Sequence, residues 1–295
     1  MRIVVSGGSG LIGSELIPSL TKQGHTVVQL VRRPARNANE ITWDPASGNL
    51  NPETLANVDA IINLSGAGVG DRRWTKKYKH VILQSRLDAT NTLVNAIASS
   101  SHKPTVLINA SAIGFYGDRG EEEVTEASPA GKGFLADVVE KWEAAAAQAS
   151  NSGVRVVMLR TGLVLTPKGG AFAKLLPLFK LGLGGVIASG KQYWSFISIT
   201  DEIRAIEFAL THDVSGPVNL TAPNPLPNKA VTKALARLLH RPALLPVPGF
   251  ALRIVLGEFA SDITTGAAVI PQKLQGAGFV WQHPTIESAI EAEVL

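Results

Sequence analysis

Apolar residues in the first half of the chain fall into two kinds of segment. Short runs that are hydrophobic at consecutive positions are Ile3–Val5, Thr26–Val31, Ala60–Leu64, Val106–Ala110 and Val154–Leu159. They predict strands covered on both faces. Between them lie longer stretches with helical spacing, Gly10–Gln23, Lys77–Ser100 and Phe134–Ser152. This alternation predicts an α/β fold: a parallel sheet with right-handed crossovers and helices on both sides. Such sheets take their ligands at the carboxyl ends of the strands. Past Leu165 the pattern loosens into an apolar helix over Ala171–Leu181 and a short helix over Asp201–Leu210, with Thr200 as its N-cap. A loop-rich passage marked by Pro217, Pro223, Pro225 and Pro227 leads to a helix over Asn228–His240 and a compact tail, Arg241–Leu295.

Composition narrows the chemistry. With 295 residues, 45% of them hydrophobic and 18% charged, the chain can bury a full core, which excludes a disordered or fibrous protein. It has no cysteine, and its six histidines form no close pair. Disulfides, Cys-ligated metal centres and thiol nucleophiles are excluded, and a histidine metal site has no support. No apolar run approaches the roughly 18–20 residues of a membrane helix. The strand residues Arg2–Val5 stand where a signal peptide would begin, so a cytoplasmic protein with no membrane partner is expected. The net charge of +4 permits anionic partners without requiring them. One dense basic cluster, Arg72–Lys79, reads either as a solvated loop and helix start or as an anion-facing lip. No second basic stripe accompanies it, so nucleic acid is not an expected partner.

The strongest local signal is Ser6-Gly7-Gly8-Ser9-Gly10-Leu11-Ile12-Gly13, directly after a strand and at the opening of a helix. Gly7 suits a tight turn, Gly10 close approach of backbone to a pyrophosphate, and Gly13 close packing of helix on sheet. An ordinary strand-to-helix turn is the plain alternative. An acid that would grip a ribose 2′-hydroxyl is missing: the second strand runs into Arg32-Arg33-Pro34, and no carboxylate appears before Glu40. Two guanidiniums there suit a 2′-phosphate, so the expected cofactor is NADP(H), with Arg32 the better candidate. Two exposed loop arginines are the alternative. Gly185–Lys191 imitates a triphosphate-binding loop, but Gln192 lacks the metal-binding hydroxyl and no clear helix follows.

Further motifs are Leu64-Ser65-Gly66-Ala67, Ser111–Asp118 and Leu159-Arg160-Thr161-Gly162, together with Trp43-Asp44-Pro45, Ser85-Arg86-Leu87 and Gly190-Lys191-Gln192-Tyr193. With the glycine loop, this set resembles the extended short-chain dehydrogenase/reductases. More closely, it is similar to their atypical, sugar-nucleotide epimerase-like subgroup, whose C-terminal domain has no assigned function. The resemblance implies a Rossmann-type doubly wound sheet and a smaller C-terminal α/β substrate lobe. Residues 1–165 would form the NADP-binding domain, joined by a strand and helix from about 196–222. Residues 166–295 would mainly form the lobe, with 241–295 as the small C-terminal domain.

By the same resemblance Gly7, Ser9, Gly10, Leu11 and Ile12 line the pyrophosphate, and Arg32, with Arg33 beside it, faces the adenosine phosphate. Ser65, Gly66 and Ala67 pass under the adenine-ribose side, and Thr161, Gly162 and Leu163 flank the nicotinamide. Arg86 stands where ordinary members have an asparagine, and Ser111 is the upstream active-site serine. Lys191, Tyr193 and Trp194 resemble the substrate-side segment.

The pattern breaks at one place. Ordinary members carry Tyr-x-x-x-Lys on the helix after the fourth strand, the tyrosine as acid/base and the lysine tuning it. Here the two positions hold Leu135 and Val139, or Phe134 and Val138 one residue earlier. Tyr116 stands near Ser111 as a substitute proton carrier or as loop packing. Ser111 orients a substrate oxygen or satisfies the strand end. Arg86 supports an oxyanion or phosphate, or pairs with Asp88 or Asp118. Two readings stay open: an NADP(H)-dependent oxidoreductase or epimerase-like enzyme acting on a small molecule such as a nucleotide sugar, and a catalytically silent NADPH-binding sensor or scaffold. A homodimer is compatible with both. A hydrolase is not, because no Gly-x-Ser-x-Gly elbow is present.

Overall fold

The computed structural model describes residues 1–295 apart from the Val255 side chain. The Rossmann-like half contains β1 (Arg2–Ser6), α1 (Leu11–Lys22), β2 (Thr26–Val31), β3 (Glu40–Thr42), β4 (Ala60–Asn63), α2 (Lys76–Ser99), β5 (Val106–Ala112), β6 (Glu123–Val124), α3 (Phe134–Ala147) and β7 (Arg155–Thr161). After it come β8 (Leu163–Leu165), α4 (Gly170–Lys180), β9 (Tyr193–Trp194), β10 (Phe196–Ser198), α5 (Ile199–Thr211), β11 (Gly216–Leu220), β12 (Leu226–Pro227) and α6 (Asn228–Leu238). The chain ends with α7 (Gly249–Leu256), α8 (Ala260–Thr264), β13 (Ala268–Val269), α9 (Gln272–Gly276) and α10 (Ile286–Val294).

Seven strands form one sheet in the order β11-β7-β5-β4-β1-β2-β3, and every pairing in it is parallel. This is the parallel α/β sheet that the consecutive apolar runs predict, doubly wound as the resemblance implies. Alternation along each strand divides the core in two. Ile3, Val5, Ile62 and Ile108 face the side packed by α1 and α5, whereas Val4, Ile61 and Leu107 face α2 and α3. Full burial of Leu16, Leu20, Leu93 and Ile97 fastens α1 and α2 to those faces, each side chain contributing roughly 1.5–3 kcal/mol.

The start of α5 differs from the sequence expectation. α5 begins at Ile199, and its cap is Ser198, whose Oγ accepts the Asp201 N–H at 3.0 Å, so Thr200 lies inside the helix. Asp201 is fully buried, and its carboxylate accepts the backbone N–H groups of Gln282 and His283 at 2.9 and 2.8 Å. The tail returns to the central sheet. Leu274 and Phe279 join the core cluster of Ile206 and Leu220, the Trp281 indole donates to the Thr221 carbonyl, and β13 pairs with β6.

Candidate functional site

At the carboxyl end of β1 the chain turns through Gly7, whose φ of +73° favours glycine. A β-carbon there would also lie 2.6 Å from the Leu64 carbonyl, so the loops after β1 and β4 touch backbone to backbone. Gly13 is confined in the same way, 2.5 Å from the Gly7 oxygen, whereas at Gly10 only that oxygen lies within reach, at 3.2 Å. Gly10 caps α1 without a side-chain hydrogen bond. The first N–H groups of α1 therefore point, uncapped by any side chain, into an open turn, an arrangement suited to an anion.

A buried polar chain holds the neighbouring strand ends. Ser6 donates to Asn63 at 2.6 Å, Asn63 to Asn109 at 2.7 Å, and the Trp142 indole to Thr90 at 3.0 Å. Asn63 also accepts the Ser65 N–H at 3.2 Å, and Ser85 accepts that of Ala67 at 3.0 Å, which fixes the loop Ser65-Gly66-Ala67. Beneath Gly66 lies Arg86. Its Nη1 donates to the carbonyls of Ala67 and Ile82, both at 2.9 Å, and its guanidinium sits 4.9 Å from the Trp142 ring. Neither Asp88 nor Asp118 forms an ion pair with it among the described residues. Burial without a counter-ion pushes its pKa down to about 10.

The two arginines after β2 divide. Arg33 is clamped by Glu40 in a bidentate pair at 2.7 and 2.6 Å, and the same carboxylate accepts the Arg36 N–H. These hydrogen bonds, Arg33 first, hold the Glu40 carboxyl down to about 2. Arg32 is exposed and has no hydrogen-bond or ion-pair partner among the described residues.

Ser111 and Tyr116 are placed otherwise than a substrate-facing role requires. Ser111 lies on the face of β5 that looks toward α3, and its hydroxyl donates to Glu143 at 2.6 Å. Glu143 is held bidentately by Arg160, both contacts at 2.8 Å. Arg160 Nη1 donates to the Tyr116 hydroxyl at 2.9 Å, and Tyr116 donates onward to Asn219 at 2.7 Å. Burial opposes the Arg160 charge, but the hydrogen bonds and charge of Glu143 outweigh it and raise the arginine's pKa. Tyr116 is 0% exposed, and burial pushes its phenol up, further from any proton exchange near neutrality. These surroundings suit the packing role and not that of the expected substitute proton carrier. Leu135 packs against Gly114 beside the end of β5, and Val139 is buried.

Thr161 closes β7, and its hydroxyl donates to Glu202 at 2.8 Å. Glu202 is fully buried, and its second oxygen has no partner. Burial raises its pKa to about 8, the Thr161 bond offsetting only part of the effect. Gly162 leaves no room for a β-carbon against the Ser195 carbonyl, and Leu163 donates its N–H to that same oxygen. Leu11 touches the positions of Gly169 and Gly170, joining this segment to the glycine loop. Tyr193 and Trp194 form β9 against β12, while Lys191 is exposed; among the described residues no hydrogen bond joins these three to the loops after β1 and β4. Gly185–Lys191 is loop without a following helix, so it is no triphosphate site. In the basic cluster, Thr75 caps α2, the Trp74 ring lies 5.0 Å from Phe134 and 5.3 Å from Phe259, and Lys79 pairs with Glu258.

Sequence reasoning assigned no site role to Glu143, Asn219 and Glu202, nor to Arg160 although it stands in one of the motifs. The available signal was a charge inside an otherwise apolar element, as in Val156-Val157-Met158-Leu159-Arg160.

Residues 3–221 match the NAD dependent epimerase/dehydratase family, and residues 247–293 match a domain of unknown function, DUF1731. An epimerase family protein of Mycobacterium bovis, Mb2239, is 43% identical over 290 residues, 98% of this chain and 96% of the relative. The crystal structure of the human epimerase family protein SDR39U1 (isoform 2) with NADPH superposes with a TM-score of 0.92 at 33% identity, covering 99% of both chains. A nucleoside-diphosphate sugar epimerase from Corynebacterium glutamicum gives 0.83 at 32% identity; all of this chain matches 58% of that one.

Proposed function

Because the chain belongs to the NAD dependent epimerase/dehydratase family, we propose that it binds NADP(H) and serves as a cytoplasmic oxidoreductase or epimerase-like enzyme. Its substrate is a hydroxyl- or carbonyl-bearing small molecule, with a nucleotide sugar the class suggested by the Corynebacterium relative. The choice of NADP(H) rests on one observation: Glu40 occupies Arg33 and leaves Arg32 free at the end of β2. The NADPH in the human relative supports the same choice.

In this scheme the amides of Gly7–Gly13 and the open end of α1 hold the pyrophosphate, and Arg32 pairs with the 2′-phosphate. When bound, the cofactor exchanges a hydride at C4 of its nicotinamide. Ser65, Gly66 and Ala67 support the adenine-ribose side, while Thr161, Gly162 and Leu163 flank the nicotinamide. Arg86 stabilises negative charge on the reacting oxygen, and Lys191, Tyr193 and Trp194 face the substrate. With the Ser111 and Tyr116 hydroxyls bonded inward, a water carries the proton. Those same inward bonds favour a second reading, an NADPH-binding sensor or scaffold without turnover.

Fluorescence titration with NADPH and NADH tests the nucleotide assignment. Arg32→Ala is expected to weaken NADPH roughly 10- to 100-fold while sparing NADH, the worth of a charge-assisted pair. Gly10→Asp is expected to abolish binding of both by placing a carboxylate in the anion turn. Equal affinity of the parent protein for the two nucleotides would refute the NADP(H) assignment. Turnover against carbonyl and sugar-nucleotide panels then separates the two readings.

A further inference from the structure

Apart from the cofactor site, the C-terminal lobe presents apolar side chains that no other described residue covers. Leu181, Leu183, Leu244, Phe250 and Ile254 are each more than half exposed, and Leu244 is 84% exposed. They come from two stretches of chain that run side by side. Arg241 donates to the Lys180 carbonyl, the Leu245 carbonyl occupies the place a β-carbon at Gly185 would take, and Ile187 bridges to Val247. α7 continues from the second stretch, with Phe250 and Ile254 one helical turn apart.

The charge of these stretches is one-sided. No Asp or Glu occurs between Glu143 and Asp201, nor between Asp213 and Glu258. The cations there are too dispersed to read as a cluster in sequence, but Lys180, Arg241 and Arg253 are all exposed, Lys180 next to Leu181 and Arg253 next to Ile254 in the chain, and Arg241 is bonded to the Lys180 carbonyl. None of the three has an acidic partner among the described residues. Projecting leucines, a phenylalanine and an isoleucine interspersed with unpaired cations match the two demands of an anionic bilayer surface, apolar insertion and headgroup attraction.

We infer that this face of the lobe docks on anionic lipid, as a peripheral contact that requires no spanning helix. A second copy of the chain fits it poorly, because pairing the face with itself sets cation against cation. A protein partner is the lesser fit, since the apolar groups stand outward instead of lining a recess.

Flotation with vesicles of phosphatidylcholine alone, and of phosphatidylcholine mixed with phosphatidylglycerol, decides the matter. The full chain is expected to float only with the anionic vesicles and to be released by high salt. Phe250→Ser combined with Ile254→Ser is expected to reduce flotation at least about tenfold, and Lys180→Gln with Arg253→Gln to act similarly through charge. Unchanged NADPH affinity and thermal midpoint in these variants would show that the fold and cofactor site are intact. Absence of flotation, or flotation indifferent to both double variants, overturns the inference. So does a dimer in sedimentation that the Phe250/Ile254 variant dissociates, which would make the face a self-interface. Failure of the parent protein to bind NADPH bears only on the cofactor reading.

Discussion

Glu143→Ala is expected to cost about 3–5 kcal/mol of folding stability, measured by denaturant unfolding. The substitution strands Arg160, a guanidinium 3% exposed, and takes the acceptor from Ser111 in the same stroke. A buried charge left without its partner cannot recover its hydration, and the Tyr116 hydroxyl is too weak a substitute. The double variant Glu143→Leu with Arg160→Met is expected to unfold later than Glu143→Ala, because no charge remains in the core. A loss below about 1 kcal/mol in the single variant would mean that water reaches the pair and that it does not brace the ends of β5 and β7.

The second large effect is a pH dependence centred on Glu202. Its carboxyl titrates near 4.5 in the unfolded chain and at about 8 in the folded one, so the native state binds the proton more tightly. The stability associated with the neutral carboxyl is complete below 4.5 and is lost as pH climbs through about 8. A tenfold change in proton affinity is worth about 1.4 kcal/mol, which makes the full loss roughly 5 kcal/mol. Glu202→Gln removes the titration while keeping a polar group beside Thr161. The variant is expected to match the parent near pH 4.5 and to exceed it by several kcal/mol near pH 8.5. Unfolding curves at the two pH values check this, and a difference that stays flat with pH would show that Glu202 is hydrated.

Neither effect was visible in the sequence, for a definite reason. The sheet was legible because β1, β2, β4, β5 and β7 are apolar at consecutive positions, which only strands buried on both sides require. The glycine turn was legible because its constraints are local: positive φ at Gly7 and crowding at Gly13 act within a few residues. The Glu143–Arg160 pair joins a helix to a strand, and Glu202 reaches Thr161 from another element altogether. Spacing along a chain carries no record of such meetings. The sequence pointed to Thr200 as the cap, but the pairing of β10 with β8 fixes where the strand stops and gives the cap to Ser198. The partner of Ser111 was not legible either, because the Glu143 carboxylate that accepts its hydroxyl comes from α3.

The position of the tail governs how the molecule can be made. Leu274, Phe279 and Trp281 join a hydrophobic layer whose other members, Ile3 and Val5 among them, lie far away in the sequence. Helices α1 and α5 cover most of that layer, so the tail seals only its remaining edge. Contacts so distant in sequence carry a high loop-closure cost and form late, which leaves that edge open to other molecules while the rest of the sheet is already packed.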